Sequence, residues 1–297
     1  MRTFLLLPKI RVHNANAMSS PYTICFPART AWLGAVHALQ RKLKTHAELN
    51  YIDFKGVAVS CHDCDVQTYK GKRDFVHSII GTANPLDKDG SRPAFIEEAR
   101  CHLSVSLMIE CDSIDGDDTQ TLTDSIDQYV LSMKMAGGDV LSMQPAERIT
   151  IDEDSPTDVT RLRNKLMLGN VLIERRDLMI QSMSEGRDAL NALLDHIKVM
   201  HRSTQDDNDN VTWRMQRKAP GWLVPIGDGY QGISELGQAA NQRDADTPHR
   251  FAESVVTLGE FVMPYRVKEI DDMLWQYHVN SDQNLYVCST SVTPNFN

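Results

Sequence analysis

Apolar and polar residues alternate with two different periods along this chain, and each change of period marks an element. Cys101, Leu103, Val105, Leu107, Ile109 and Cys111 alternate with His102, Ser104, Ser106, Met108 and Glu110, the period of two expected of a strand with one face in a core. Residues 3–12, TFLLLPKIRV, gather β-branched and large apolar side chains and predict a buried strand. Trp32, Ala35, Val36, Leu39 and Leu43 recur at helical spacing, which predicts a helix over 30–44 with Thr30 as N-cap. Its polar side carries His37, Gln40, Arg41 and Lys44. A second strand is expected near 55–61, a helix over 119–135 ended by Gly137-Gly138, and a further strand at the DVLSM that follows.

Strand, helix, strand, strand, helix, strand is the order of a ferredoxin-like α+β fold. The RNA-recognition motif shares it and tracks single-stranded RNA on an open sheet. Between the second and third strands lies an insertion over 62–97 with Gly71-Lys72-Arg73 and the turn-forming NPLDKDGS at 84–91. Acidic runs at 112–118, 150–158 and 206–210 lack apolar periodicity and are expected as exposed connections. They bracket a mostly helical stretch, 159–202, in which Leu190, Leu193, Leu194 and Ile197 form an amphipathic face. APGWLVPIGDGY at 219–230 is apolar and punctuated by Pro and Gly, a helix is expected through 251–262, and a last strand at 285–289. The expected organisation is a palm over 1–148, a helical insertion over 149–212 and a C-terminal segment over 213–297 packing on the palm.

Charge sharpens this picture. The net charge of the 297 residues is −9, which taken alone argues against nucleic acid. Residues 1–100, however, carry +5 and the remainder −14, and no acidic residue precedes Glu48. A basic end joined to an acidic remainder lets one face attract phosphate while another repels it. Six scattered cysteines fit reduced thiols and a cytoplasmic setting. No apolar run has the length of a membrane span. Cys61-His62-Asp63-Cys64 has half the ligand spacing of a zinc site and no second half, so Cys61 is expected to point inward from a strand with Val57 and Val59. Neither metal nor cofactor is expected.

Catalytic signatures are sparse. The sequence holds no GxxxxGK[ST] loop, GxSxG elbow or HExxH, and its paired carboxylates fall in the acidic loop runs. His13, His37 and His62 with Lys9 or Arg41 offer the acid and base that RNA cleavage needs. Asn14, Asn16, Ser19 and Ser20 beside His13 serve base-edge and 2′-hydroxyl recognition better than proton transfer. Binding is therefore ranked above cutting, with a metal-independent repeat-RNA endonuclease as the alternative and a zinc-stabilised interaction module third.

LLLPKIRVHNANAMSSP (5–21), GAVHALQRK (34–42), ANPLDKDGS (83–91), IEEARCHLSVSLMIE (96–110), MAGGDVL (135–141), PGWLVPIGDGY (220–230) and TPHRFAESVVTLGEF (247–261) resemble the family of second subunits of the Csy surveillance complex of type I-F CRISPR systems. The resemblance is weakest over 150–212 and does not include the CHDC cysteines. It implies a non-enzymatic guide-RNA-binding subunit that caps the crRNA 5′ handle, built on a ferredoxin-like palm with a thumb-like extension. The implied partners are the large PAM-reading subunit, the first copy of the repeating backbone subunit and, indirectly, target DNA near the PAM, while base pairing reads the target sequence. In that role Arg11, Arg41, Lys42, Lys72, Arg73 and Arg250 are the candidates for phosphate, and His13, Asn14, Asn16, Ser19, Ser20, His37 and Gln40 for bases and 2′-hydroxyls. Trp32 and Trp222 lie in apolar surroundings and are expected in the core.

Overall fold

The computed structural model of the chain describes residues 1–80, 86–92, 98–112, 114, 118–242 and 244–290. In chain order its first elements are β1 (Arg2–Asn16), β2 (Met18–Ser20), β3 (Thr23–Ile24), α1 (Arg29–Leu43), β4 (Phe54–Val66), β5 (Thr68–Tyr69), β6 (Ser78–Ile79) and β7 (Arg100–Cys111). Next come α2 (Thr119–Leu131), β8 (Lys134–Met135), β9 (Gly138–Ser142), β10 (Glu147–Ile151), α3 (Pro156–Lys165), β11 (Asn170–Glu174), α4 (Arg176–Ser184) and α5 (Ala189–Ile197). The last are β12 (Met200–Gln205), β13 (Val211–Gln216), β14 (Trp222–Gly232), β15 (Ala252–Val262), β16 (Gln276–Asn280) and β17 (Leu285–Ser289).

This is an α+β structure on an 11-stranded sheet in the order β16-β17-β14-β15-β11-β4-β7-β1-β9-β8, with β10 pairing the first residues of β1. The pairings are antiparallel. Period two explains the central strand: Cys101, Leu103, Val105, Leu107 and Ile109 enter one core with Trp32, Val36 and Leu39 of α1 and Leu122, Ile126 and Val130 of α2. On the other face Met108 joins Phe4, Leu6 and Ala58 beneath Leu162 of α3, Ile270 and Met273. That second cover ends short of Arg11, His13, Asp63 and Asp65, which remain exposed. Arg11 and Asp63 both pair with Ser104, so this uncovered polar surface lies opposite α1 and α2.

Several expectations need correction. Residues 252–262 are strand and not helix: Ala252 to Phe261 pair with β14, Gly259 to Val262 also pair with β11, and Thr257, Leu258 and Gly259 are buried. A short apolar run enclosed in a sheet has no diagnostic period. The mostly helical stretch 159–202 is interrupted by β11, where Val171, Leu172 and Ile173 run into the sheet beside β4 and β15, and it ends in β12. The run at 150–158 is not merely a connection, since Thr150 and Ile151 close β10 and the Ser155 hydroxyl caps α3 by accepting from the Asp158 N–H. Ala28 precedes α1 without any side-chain cap, so Thr30 is already helical. Trp32 is in the core, whereas Trp222 is 54% exposed and rests against Phe261 with ring centroids 5.0 Å apart. The insertion expected over 62–97 starts later, because β4 runs on to Val66 in register with β7; within it Asp87–Ser91 turn with Gly90 at a positive φ of 79°. Residues 81–85 and 93–97 of that insertion, and 113 and 115–117 of the first acidic run, lie outside the described residues. No helix among the described residues is long and apolar enough to cross a membrane.

Burial holds the imidazoles of His62, His196 and His278 below the ordinary histidine value. A group whose folded pKa is depressed is protonated first in the unfolded chain, so stability falls as pH drops below about 6.5. Urea midpoints at pH 7.5 and 5.5 should show this loss. His196→Gln, which keeps a partner for the Ser182 hydroxyl 3.0 Å away, should reduce it.

Candidate nucleic-acid interface

Three neighbouring strands repeat one arrangement two residues apart. Asp228 and Tyr230 on β14, Cys288 and Tyr286 on β17, and Trp275 just before β16 with Tyr277 inside it form a buried inner row and a staggered outer row of tyrosines, Tyr230 pairing directly with Tyr286 and Tyr277 with Cys288. The inner row is buried beneath the first residue of α1. Arg29, with 2% of its side chain exposed, places its guanidinium carbon 3.6 Å from the Trp275 ring centroid and its NH1 3.5 Å from a fully buried Asp228 carboxylate. Arg176 reaches the other Asp228 oxygen at 2.9 Å and Glu174 at 2.7 Å. Ser289 and the Thr290 N–H donate to the second Glu174 oxygen at 3.0 and 3.2 Å. Burial pushes the Asp228 carboxyl up to about 6 against the pull of Arg29 and Arg176, and lowers the Arg29 guanidinium.

The outer row lines an open groove of about 1150 Å³. Tyr230 and Tyr286 are directly paired across β14 and β17, with ring centroids 6.5 Å apart, and Tyr277 lies 5.2 Å from Tyr286. The facing wall is α1, presenting Ala31, Gly34, Ala35, His37, Ala38 and Arg41, and the end is closed by Asn16, Arg100 and Lys134. Lys134 pairs with Asp139 at 2.5 Å and Arg100 pairs with Glu98, while Arg41 has no ion pair among the described residues. The β2–β3 hairpin carrying Ser19 and Ser20 reaches this floor because β14 offers a glycine there. A β-carbon at Gly227 would overlap the Ser19 carbonyl oxygen, and one at Gly229 would overlap the Tyr286 carbonyl.

Of the residues expected to hold RNA, Asn16, Ser19, Ser20, His37 and Arg41 come together here. Ser19 and Ser20 are buried, and their hydroxyls meet the Thr23 hydroxyl at 2.5 and 2.8 Å. Gln40 donates to Asp53 at 2.8 Å, and the Lys42 ammonium stands 5.5 Å from the centre of the Tyr129 ring. Arg250 bonds the Asn284 side chain in a neighbouring cleft of about 360 Å³ that shares Tyr230 and Tyr286 with the groove. Lys72 and Arg73 are exposed between β5 and β6. Arg11, His13 and Asn14 lie on the polar sheet surface opposite α1. There the His13 ring stacks on His102 at 4.4 Å, the Asn14 N–H donates to His102 at 3.2 Å, and Gln67 donates to Asn14 at 3.0 Å.

The candidate acid and base groups are therefore dispersed. His37 lines the groove, His13 lies across the sheet, and His62 sits between the Lys9 ammonium and the Ser106 hydroxyl, each 2.8 Å away. Cys61 is half-buried against the core, and among the described residues no three His, Cys, Asp or Glu side chains come together as metal ligands. Sequence reasoning missed Tyr230, Tyr277, Tyr286, Arg100 and Lys134, together with the buried charge cluster beneath the tyrosines. No local pattern marks the tyrosines, since neither β14 nor β17 alternates between buried and exposed positions.

The family model described as CRISPR-associated protein (Cas_Csy2) matches residues 5–288. The chain is also 36% identical to CRISPR-associated protein Csy2 of Pseudomonas aeruginosa (strain UCBPP-PA14) over 315 positions, which cover 96% of this chain and 94% of that relative. The match thus takes in every strand that builds the groove, and the chain belongs to the Csy2 family of type I-F CRISPR-associated proteins.

Proposed function

We propose that the chain is a non-catalytic subunit of the type I-F ribonucleoprotein that holds the 5′ handle of the crRNA in this groove. The observation carrying the reading is the convergence of Arg41, Arg100, Lys134, His37 and Asn16 with three tyrosines around one open groove of about 1150 Å³. Cations meet phosphate, and aromatic faces take unpaired bases. The dispersal of His13, His37 and His62 favours holding over cutting, because a general acid and base must converge on one phosphodiester. The pairing order β4-β7-β1-β9 around α1 and α2 supports a ferredoxin-like, RRM-like palm.

The implied partners extend this reading. Exposed apolar side chains at Leu190, Leu194, Val211, Trp213 and Met215 support a protein contact over the helical and hairpin region, which we assign to the large PAM-reading subunit. The first backbone subunit and, indirectly, target DNA complete the set, in the cytoplasm.

Full-length protein titrated with labelled handle RNA at increasing salt tests the central claim. Arg41→Glu with Lys42→Glu should weaken binding and reduce the slope of log affinity against log salt by about 0.7, the one phosphate expected of Arg41, which alone of the two lines the groove. An unchanged slope and affinity would remove the RNA from this helix. Site-specific, metal-free cleavage of repeat RNA that is lost in His37→Ala or His13→Ala would instead establish the endonuclease.

A further inference from the structure

We infer that Tyr230, Tyr286 and Tyr277 form a platform on which an unpaired base stacks, so that the groove takes single-stranded RNA and rejects duplex. This rests on the RNA reading above and adds to it the form of nucleic acid selected and the residues that select it.

The placement of the rings carries the argument. Core aromatics on this sheet are covered: Trp275, one row inward of Tyr277, is 2% exposed beneath Arg29. Tyr230, one row outward of buried Asp228, is 45% exposed. Its partner Tyr286 lies directly across the strand pair with the planes only 26° apart, and Tyr277 extends the surface from Tyr286 at an angle of 34°. Cross-strand aromatics in register give a continuous apolar surface that is costly to leave in water.

The opposite wall meets Tyr277 and stands off from the rest of this surface. α1 turns Ala31, Gly34, Ala35 and Ala38 towards the groove, and a β-carbon at Gly34 would already touch the Tyr277 hydroxyl at 4.0 Å, so Tyr277 closes one edge of the platform and Tyr230, 45% exposed, carries the open face. Arg41 stands along the same wall, one turn beyond His37, and has no ion pair among the described residues. Aromatic floor, small-residue wall and a free guanidinium match a nucleotide whose base lies flat and whose phosphate faces the helix. In a duplex the base faces are already stacked on their neighbours, and side chains cannot reach them through the narrow A-form major groove. Selection for an unpaired strand follows from the floor, with little dependence on which base is presented.

Binding of the full-length protein to labelled single-stranded handle RNA, to the same RNA annealed to its complement, and to handles with one abasic position each tests this. Tyr230→Ala should weaken single-strand binding about 5- to 150-fold, the range of one base–aromatic stack. Tyr230→Phe, which keeps the ring, should stay within about twofold. One abasic position should weaken the unsubstituted protein and leave Tyr230→Ala no weaker than it already is, and the annealed RNA should bind worst. If Tyr230→Ala binds like the unsubstituted protein, or the annealed RNA binds equally well, while the Arg41 and Lys42 double variant is impaired, the platform is refuted and the RNA reading stands. If no substitution in the groove changes affinity, or the unsubstituted protein binds no handle RNA, the RNA reading of this groove falls with it. Loss of a co-purifying protein from Tyr230→Ala with RNA affinity intact would assign the tyrosines to a protein contact and overturn the inference.

Discussion

Asp228→Leu should lower the free energy of unfolding by about 3–5 kcal/mol. The reason is the charge left behind. Arg29 is 2% exposed, its guanidinium lies on the Trp275 ring, and Asp228 is the carboxylate within reach of it. Removing that carboxylate leaves a buried cation, which costs far more than the lost attraction. Replacing both partners, Arg29→Met with Asp228→Leu, should recover most of the loss, because Arg176 retains Glu174 at 2.7 Å and an apolar pair of similar volume carries no desolvation penalty. Urea titrations of the two single variants and the double variant form the cycle that measures the coupling. A change below about 1 kcal/mol in Asp228→Leu alone would show the pair to be solvated in solution.

This cluster has a functional consequence because of its position. It fixes the start of α1, the groove wall, onto the strands that carry the tyrosine floor. The N-terminal residues and the C-terminal strands thus share, beside the apolar packing of Phe26 on Phe261, a buried polar contact directly beneath the groove. Loss of Asp228 should therefore also weaken handle binding, without touching a residue proposed to meet RNA.

The N-terminal half of this architecture was legible because its signals are local. The alternation over 101–111 and the helical spacing from Trp32 to Leu43 each depend on near neighbours, and those elements lie within a few residues of their expected places; the helix expected over 119–135 ends instead at Leu131, and Gly137-Gly138 turns β8 into β9. Strand β15 was read as a helix because enclosure in the sheet erased its period. The tyrosine floor could not be read at all. Each of Tyr230, Tyr277 and Tyr286 is an ordinary strand residue until β14, β16 and β17 are placed side by side, and that order is a tertiary fact. Asp228 gave no signal for a different reason: an aspartate between two glycines has the composition of a turn. Here the glycines serve close approach of the Ser19 and Tyr286 backbones, and the aspartate between them faces a buried arginine.

Gly227→Val should separate the two halves of the groove. A β-carbon at this position overlaps the Ser19 carbonyl oxygen and comes within 3.3 Å of the Ala28 β-carbon. The clash is with backbone, so no rotamer change relieves it. Overpacking of this kind stores about 1–3 kcal/mol, and the chain can shed that strain by lifting the Ser19 hairpin off β14. Rebinding RNA then requires the hairpin to return, so handle affinity should fall about 5- to 150-fold. Gly227→Ala should show a smaller loss of the same kind, since the β-carbon alone makes the clash and valine adds bulk. Gly237→Ala supplies the control: a β-carbon there has no neighbour within 4 Å, and both stability and binding should be unchanged. Thermal melting together with handle titration separates the outcomes. Lost affinity with a near-normal melting temperature places the strain in the hairpin, and unchanged affinity in Gly227→Val would show that the seating of Ser19 on β14 has no part in holding the RNA.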